Sequence, residues 1–136
     1  MSTITVVGTL GRDPELRFTA GGQAVVSFSV ADTRKWKNAA GEQQEATTWI
    51  DCSAWNSLAE NAAASLAKGS RVIVTGRLES RDHQAKDGTK RTAYQIVADA
   101  IGPDLRFATV QVEKVQRNAT RVDRAPDPVF GDEEPF

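Results

Sequence analysis

One stretch of this 136-residue chain decides its fold class: TTWIDCSAW, residues 47–55. Its residues alternate in character, and successive side chains of a β-strand point to opposite faces. The even positions hold isoleucine, cysteine and alanine, whereas the odd positions place Trp49 and Trp55 on one face with Asp51 and Ser53. The stretch therefore predicts a strand with one buried face and one polar face that carries two tryptophans.

The same two-residue alternation recurs on both sides of this stretch. It is interrupted by a turn near residues 19–22, a polar loop at 37–44 and a hairpin tip at 86–89. Glycine, proline and polar residues at these places are typical of turns. Further strands are predicted at residues 3–10, 26–30, 71–80 and 90–99, with a last strand at 105–115.

One helix is predicted directly after the tryptophan-bearing strand. Asn56 or Ser57 can cap it, and it runs to about Lys68, where Gly69 ends it. Five or six strands with one short helix between the third and fourth fit a small closed barrel. The predicted fold class is all-β: an OB-fold, five-stranded Greek-key barrel with one short helix, an extra C-terminal strand and a disordered acidic tail.

The chain changes composition near residue 117. Of its 17 lysines and arginines only 2 lie in residues 118–136, whereas 5 of its 18 aspartates and glutamates lie there. The body is thus mildly basic and the tail acidic, which indicates two separate binding functions. We expect a folded domain over residues 1–116 and a disordered tail over residues 117–136.

The inventory of reactive side chains argues against an enzyme. Cys52 and His83 are the only cysteine and histidine, too few for a zinc site built from nitrogen and sulfur ligands. No nucleophile motif and no phosphate-binding glycine pattern is present. We expect no catalysis, no cofactor and no metal. The absence of a long apolar run or a signal-peptide pattern predicts a cytoplasmic protein with no membrane partner.

Three tryptophans and a scatter of cations indicate binding to a nucleic-acid single strand. Trp36 lies within a run of cations, and Trp49 and Trp55 share one strand face. An aromatic ring stacks on any base, so such binding is independent of sequence. His83 can stack in the same way. The candidate phosphate contacts are Arg12, Arg17, Arg34, Lys35, Lys68, Arg71, Arg77, Arg81, Lys86, Lys90 and Arg91.

Each of these assignments has an alternative. Trp49 and Trp55 also suit an oligomer contact, and Phe18 is as well explained as a buried barrel aromatic. Cys52 alternates with core positions and is interpreted as a small core residue. Two other functions remain open: an adaptor whose tryptophan face contacts a protein, and an RNA-binding module.

The C-terminal tip combines acidity with a terminal aromatic residue. Asp132, Glu133 and Glu134 precede Pro135 and Phe136. Such a tip suits a hydrophobic pocket ringed by lysine or arginine, with the phenylalanine as anchor. The sequence predicts a partner-binding tip, and the alternative is an acidic tail that only adds solubility.

Several runs of the chain are specific when found in this order. They are VGTLGRDPELR at residues 7–17, Trp36, Thr48-Trp49, LAKGSRV at residues 66–72 and GRL at residues 76–78. With the final Pro-Phe, they resemble bacterial single-stranded DNA-binding proteins. The stretch IGPDLRFA at residues 101–108 resembles the actinobacterial branch, in which an extra C-terminal strand clamps neighbouring subunits.

The resemblance implies a homotetramer that wraps single-stranded DNA, and a protein associated with the nucleoid. It implies stacking by Trp36, Trp49 and Trp55, coating and protection of DNA during replication, recombination and repair, and recruitment of proteins of those pathways by the tip. The phosphate contacts that it implies are at Arg17, Lys68, Arg81 and Arg91.

Three features depart from the family pattern. His83 stands where many members carry a stacking tryptophan, which predicts weaker binding there. In the family the tip is rich in aspartate and has isoleucine before the proline. In this chain two glutamates occupy the tip, and Glu134 precedes the proline. The tail is short, which leaves open both a main replication protein and an accessory paralogue.

Overall fold

The computed structural model describes residues 2–115 of the chain. It contains six strands and one helix, and the predicted tail lies outside the described residues. The elements are β1 Thr3–Leu10, β2 Glu15–Phe18, β3 Ala24–Lys37, β4 Gln43–Trp55, α1 Asn56–Ser65, β5 Arg71–Gln84 and β6 Lys90–Pro103.

The strands form one sheet that closes on itself. Their order is β1-β5-β6-β4-β3-β2, and β1 also pairs with β3 through Thr9 with Ala31 and Leu10 with Val30. Five strands thus form a ring, and β2 joins it through β3. Within residues 2–115 all pairings are antiparallel except β4 with β6, which is parallel over three residue pairs. This arrangement confirms the predicted all-β OB-fold barrel with one short helix.

Alternate residues of each strand fill the interior of the ring. Each fully buried aliphatic or aromatic side chain contributes about 1.5–3 kcal/mol of hydrophobic stabilisation. Helix α1 adds Ala59 and Ala62 to this core. The largest contributors are Val26, Phe28, Val30, Leu10, Val72, Val74 and Ile96.

The ring closes where β1 comes very near β3. Gly8 lies at this point, and a Cβ added there would lie 2.6 Å from Cγ1 of Val30. This distance is far shorter than a normal carbon–carbon contact of about 3.5–4.0 Å. Glycine at position 8 therefore allows the two strands to meet.

Two hairpins extend well beyond the predicted strand ends. The β3–β4 hairpin turns at residues 38–42, where the side chain of Asn38 accepts backbone hydrogen bonds from Ala40 at 3.0 Å and Glu42 at 2.9 Å. The β5–β6 hairpin turns at residues 85–89, as the sequence predicts. The strands are longer than their apolar segments because cross-strand hydrogen bonds continue after side-chain burial ends.

The start and end of the helix differ from the prediction. No side chain caps α1, and its N-cap is Trp55 in an extended conformation. The helix ends at Ser65, because Leu66 adopts an extended conformation. Strand β2 was not predicted, so the helix follows the fourth strand and not the third. No helix within residues 2–115 is long and apolar enough to cross a membrane.

The predicted last strand over residues 105–115 is wrong for the single chain. The ladder ends at Pro103, paired with Val72, and the backbone N–H of Asp104 donates to the carbonyl of Arg71 at 2.9 Å. Residues 105–115 are exposed and have no strand partner within the described chain. A strand requires a neighbour for its backbone hydrogen bonds, and period-two alternation does not supply one.

Candidate nucleic-acid interface

Four odd residues of β4 share the side of the strand away from the core, called here the outer β4 face: Trp49, Asp51, Ser53 and Trp55. Ser53 is only 7% exposed, because neighbouring strands cover it. Trp49 is 60% exposed and Trp55 is 41% exposed. Cys52 and Ala54, on the other side of the strand, are buried in the core. The predicted division of this strand into a core face and a tryptophan face therefore matches the structure.

Two grooves run along the outer β4 face. The first, of about 420 Å³, brings Arg17 and Arg81 to Trp55. The second, of about 240 Å³, brings Arg12 to Asp51. Both grooves are lined by Ser27 and Gln95, so they adjoin each other on the same side of the sheet. Together they form a path edged by arginines, with Trp55 in its lining and Trp49 two residues along β4 from Asp51.

Trp49 is held in place by a glycine that the sequence analysis did not single out. A Cβ added to Gly11 would lie 2.7 Å from Cη2 of Trp49, so the indole packs directly on the Gly11 backbone. The N–H of Gly11 also donates to the carbonyl of Ser29 at 3.3 Å. The ring of Trp49 is therefore supported by the barrel while most of the side chain stays exposed.

Trp36 does not share the outer β4 face. It pairs with Gln44 in the β3–β4 hairpin, at an even position, and the tryptophans of β4 occupy odd positions. By register it lies on the opposite side of the ribbon. The guanidinium carbon of Arg34 lies 5.3 Å from the centre of its ring, within cation–π distance. Arg34 therefore competes with a base for this ring.

The β5–β6 hairpin carries cations beside Trp55. Arg81 lies opposite Ala93, and His83 lies opposite Arg91, so these side chains share one face of the hairpin. All are exposed, as are Lys86 at the tip and Lys90. By register Lys90 lies on the other face, opposite Gln84. The structure thus extends the first groove along the hairpin through residues 81, 83 and 91.

Arg71 and Lys68 lie outside both grooves, as do Arg34 and Lys35 on the β3–β4 hairpin. The Nε of Arg71 is 2.6 Å from Oδ2 of Asp104, and its guanidinium carbon is 5.7 Å from the Phe107 ring. The hydrogen bond from Arg71 holds the pKa of Asp104 below its usual range. Lys68 also lies outside both grooves, and its backbone N–H donates to Asp13 at 2.8 Å. Phosphate contacts by these residues remain predictions from the sequence.

Acidic side chains temper the positive charge of the first groove. Nε of Arg77 lies 2.5 Å from Oε2 of Glu79, and both side chains line the groove. Nε of Arg17 lies 3.5 Å from Oε1 of Glu15. Exposed ion pairs of this kind contribute little to stability. A phosphate can therefore replace either glutamate as the partner of its arginine.

The sequence analysis also missed the role of polar residues between the tryptophans. Gln95 lines both grooves and pairs with Asp51 in the parallel register of β4 and β6. Tyr94, 62% exposed on the opposite face of the hairpin, was not considered either. The missing signal was long-range: a parallel pairing between strands far apart in sequence cannot be read from alternation.

The metal-ligating and nucleophilic side chains of the described residues are scattered or buried. Within residues 2–115, no three side chains among His, Cys, Asp and Glu come together as a metal site. Burial raises the pKa of the Cys52 thiol to about 12, with a smaller contribution from Asp51. A thiol that stays protonated at neutral pH is a poor nucleophile, in agreement with its interpretation as a core residue.

Comparison with known proteins agrees with this geometry. The sequence model of the Single-strand binding protein family matches residues 1–104. The chain is 48% identical over 119 residues to the single-stranded DNA-binding protein of Mycobacterium leprae, covering 86% of this chain and 71% of that protein. It is 49% identical over 119 residues to that of Mycolicibacterium smegmatis, covering 86% and 72%.

The fold is similar to a crystal structure of the small single-stranded DNA-binding protein from Streptomyces coelicolor. The TM-score is 0.65 at 35% sequence identity, and the match covers 76% of this chain and 94% of the other. These relatives confirm the resemblance to the actinobacterial proteins. The chain belongs to the single-strand binding protein family.

Proposed function

We propose that this protein binds single-stranded DNA of any sequence, and that it coats and protects such DNA during replication, recombination and repair. The observation that carries the proposal is the outer β4 face, where Trp49 and Trp55 are exposed beside two adjoining grooves whose linings include Arg12, Arg17 and Arg81. Stacking platforms and cations along one path are what a single strand requires. The family names of the relatives support the same function.

The mechanism combines two separate forces. Bases stack on the indoles, with roughly 1–3 kcal/mol for each stacked base. Arginines neutralise phosphates and release counterions, so binding weakens as salt rises. Trp49 and Trp55 are six residues apart on one strand, or about 20 Å at 3.3 Å per residue. Bases between them cannot stack on either indole and lie against the polar middle of the path.

We also propose a homotetramer, which the family resemblance supports. β1 and β5 carry an outward surface in which Val7 lies opposite Ile73, with Ile73 40% exposed. β1 pairs with β3 only through Thr9 and Leu10, so most of its other edge is open to another strand. The exposed apolar residues of 105–115 add a second surface for a neighbouring subunit. Mass measurement of the full chain in solution tests the subunit number.

The tail has a different proposed function. We assign residues 1–116 to DNA binding and assembly, and residues 117–136 to the recruitment of replication, recombination and repair proteins. The support is the acidic tip Asp132–Glu134 followed by Pro135 and Phe136. Deletion of Phe136 is expected to leave the affinity for DNA unchanged and to abolish partner capture. A large loss of DNA affinity in this variant would contradict the division.

Binding is the whole of the proposed activity, and the proposed location is the cytoplasm at the nucleoid. The family is one of DNA-binding proteins without catalysis, and the one thiol of the chain is buried. No cofactor enters the mechanism, because stacking and charge neutralisation require none.

The decisive experiment is quenching of tryptophan fluorescence by oligo(dT) at low and high salt, with a duplex of equal length as control. Strong quenching by the single strand alone supports the proposal. No quenching at low salt would contradict it and direct attention to a protein partner for the tryptophan face. Competition with a matched RNA strand tests the RNA-binding alternative.

A further inference from the structure

A carboxylate lies in the middle of the proposed DNA path. Asp51 is exposed on the outer β4 face, between the two tryptophans, and it lines the second groove with Arg12 and Gln95. An acid on a surface that receives a polyanion costs binding energy if it faces phosphates. Its position on the strand that carries both stacking residues places it with the bases instead.

One oxygen of Asp51 is occupied and the other is free to accept. The hydroxyl of Ser29 donates to Oδ1 of Asp51 at 2.9 Å. Within residues 2–115 no side-chain or backbone donor reaches Oδ2, and no cation lies within 4 Å of the carboxylate. Oδ2 is therefore open to water in the free protein. A DNA strand laid over the groove displaces that water, and an unpaired carboxylate is costly to cover.

The chemistry of the bound base determines whether the cost of covering the Asp51 carboxylate is offset. Cytosine carries an amino group at the 4-position of its ring, which donates to a carboxylate. Thymine and uracil carry a carbonyl oxygen at the same position, which repels it, and their one donor, N3–H, lies between two carbonyl oxygens and is the weaker partner for a carboxylate. Gln95, the cross-strand neighbour of Asp51, both donates and accepts and therefore serves either kind of base. Asp51 is the group at this place that distinguishes them.

We infer that Asp51 gives the interface a preference for base composition, with cytosine-rich strands bound more tightly than thymine- or uracil-rich strands. The inference rests on the proposed function and refines it: every sequence is bound, but not with equal affinity. The contact is to a base edge and not to the backbone. The preference therefore persists at high salt, where contacts to phosphates weaken.

The test compares oligo(dC) with oligo(dU) of equal length at neutral pH, at two salt concentrations. These strands have the same backbone, and neither carries the methyl group of thymine. Their rings differ only at the 4-position and at N3. The intact protein is expected to bind oligo(dC) roughly tenfold more tightly, the lower end of the effect of one additional charge-assisted hydrogen bond. Asp51→Asn, whose amide both donates and accepts, is expected to bring the ratio to about one.

Two further variants isolate the cause. Asp51→Ala removes the acceptor altogether and is also expected to abolish the preference. Glu60→Gln removes one negative charge from the exposed surface of α1, outside both grooves, and is expected to keep it. Equal affinities of the intact protein for the two strands would overturn the inference.

A second result would also overturn it. If Asp51→Asn strengthened binding of both strands by the same factor, Asp51 would act only by repelling phosphates. Failure of the intact protein to bind either strand is distinguishable from these outcomes, because it would overturn the proposed function itself.

Discussion

Trp36 and Trp49 are both exposed indoles on the β3–β4 ribbon, but their surroundings differ. Trp49 packs on the backbone of Gly11 at the point where the ring closes, and it shares the outer β4 face with Asp51. Trp36 lies near the hairpin turn, on the opposite side by register, with Arg34 over its ring. One ring is supported by the barrel and open to a base, while the other is partly covered by its own neighbour. Exposure alone does not make two tryptophans equivalent.

The largest expected effect belongs to Trp49→Ala. It should weaken binding of oligo(dT) by roughly 3 kcal/mol, the upper end for one stacking platform, because the indole is held in place before the base arrives. Titration of a labelled oligonucleotide followed by anisotropy measures this. The melting temperature should change little, because the side chain is exposed. Unchanged affinity would remove Trp49 from the interface.

Gly11→Ala tests the support of that ring without removing it. The added methyl group displaces the indole, so we expect a loss of roughly 1–2 kcal/mol in DNA binding, less than for Trp49→Ala. The double variant should bind no more weakly than Trp49→Ala alone, because the glycine acts only through the tryptophan. Additive losses in this cycle would show that Gly11 contacts DNA by itself.

Trp36→Ala should cost less, roughly 1 kcal/mol, because a base must first displace Arg34. Arg34→Ala provides the matched comparison, since it uncovers the ring but removes a cation. The fluorescence quenching per tryptophan, measured in both variants, distinguishes stacking on Trp36 from phosphate neutralisation by Arg34. A loss as large as that of Trp49→Ala would mean that support by the barrel has no influence on stacking.

The smallest effects are expected from single cations. Arg81→Ala should lower the slope of log affinity against log salt by about 0.7, the value for one phosphate contact on a single strand. Arg71→Ala should leave the slope unchanged, because Arg71 is paired with Asp104 outside the grooves. If both variants lowered the salt slope equally, DNA binding would depend on the total charge of the protein and not on the position of each cation.

The sequence alone was sufficient to predict which residues of β4 face the core, because that pattern is local. Alternation along residues 47–55 is local, so it correctly separated the face of Trp49 and Trp55 from that of Cys52. The side on which Trp36 lies depends on how many residues the β3–β4 hairpin contains and on its register. The faces of Cys52 and Trp49 could be predicted without knowing the hairpin length or the register.

Other features required knowledge of partners distant in the chain. Arg71 pairs with Asp104 across 33 positions, and a list of cations cannot show that pairing. Residues 105–115 alternate as a strand would, but they pair with no strand edge within residues 2–115. The parallel contact between β4 and β6, which brings Gln95 to Asp51, is equally invisible to local patterns.

The closure of the ring by only two residue pairs, Thr9 with Ala31 and Leu10 with Val30, ties folding to ligand binding. Short seams of this kind open more readily than the rest of a sheet, and their amide hydrogens exchange with solvent through that opening. Gly11 follows the seam directly, so each opening also removes the support of Trp49. A strand of DNA stacked on Trp49 binds only the closed form. The N–H of Gly11 donates to the carbonyl of Ser29 in β3, so hydrogen exchange at Gly11 should slow as DNA is added. The extent of slowing is set by the DNA concentration relative to the dissociation constant.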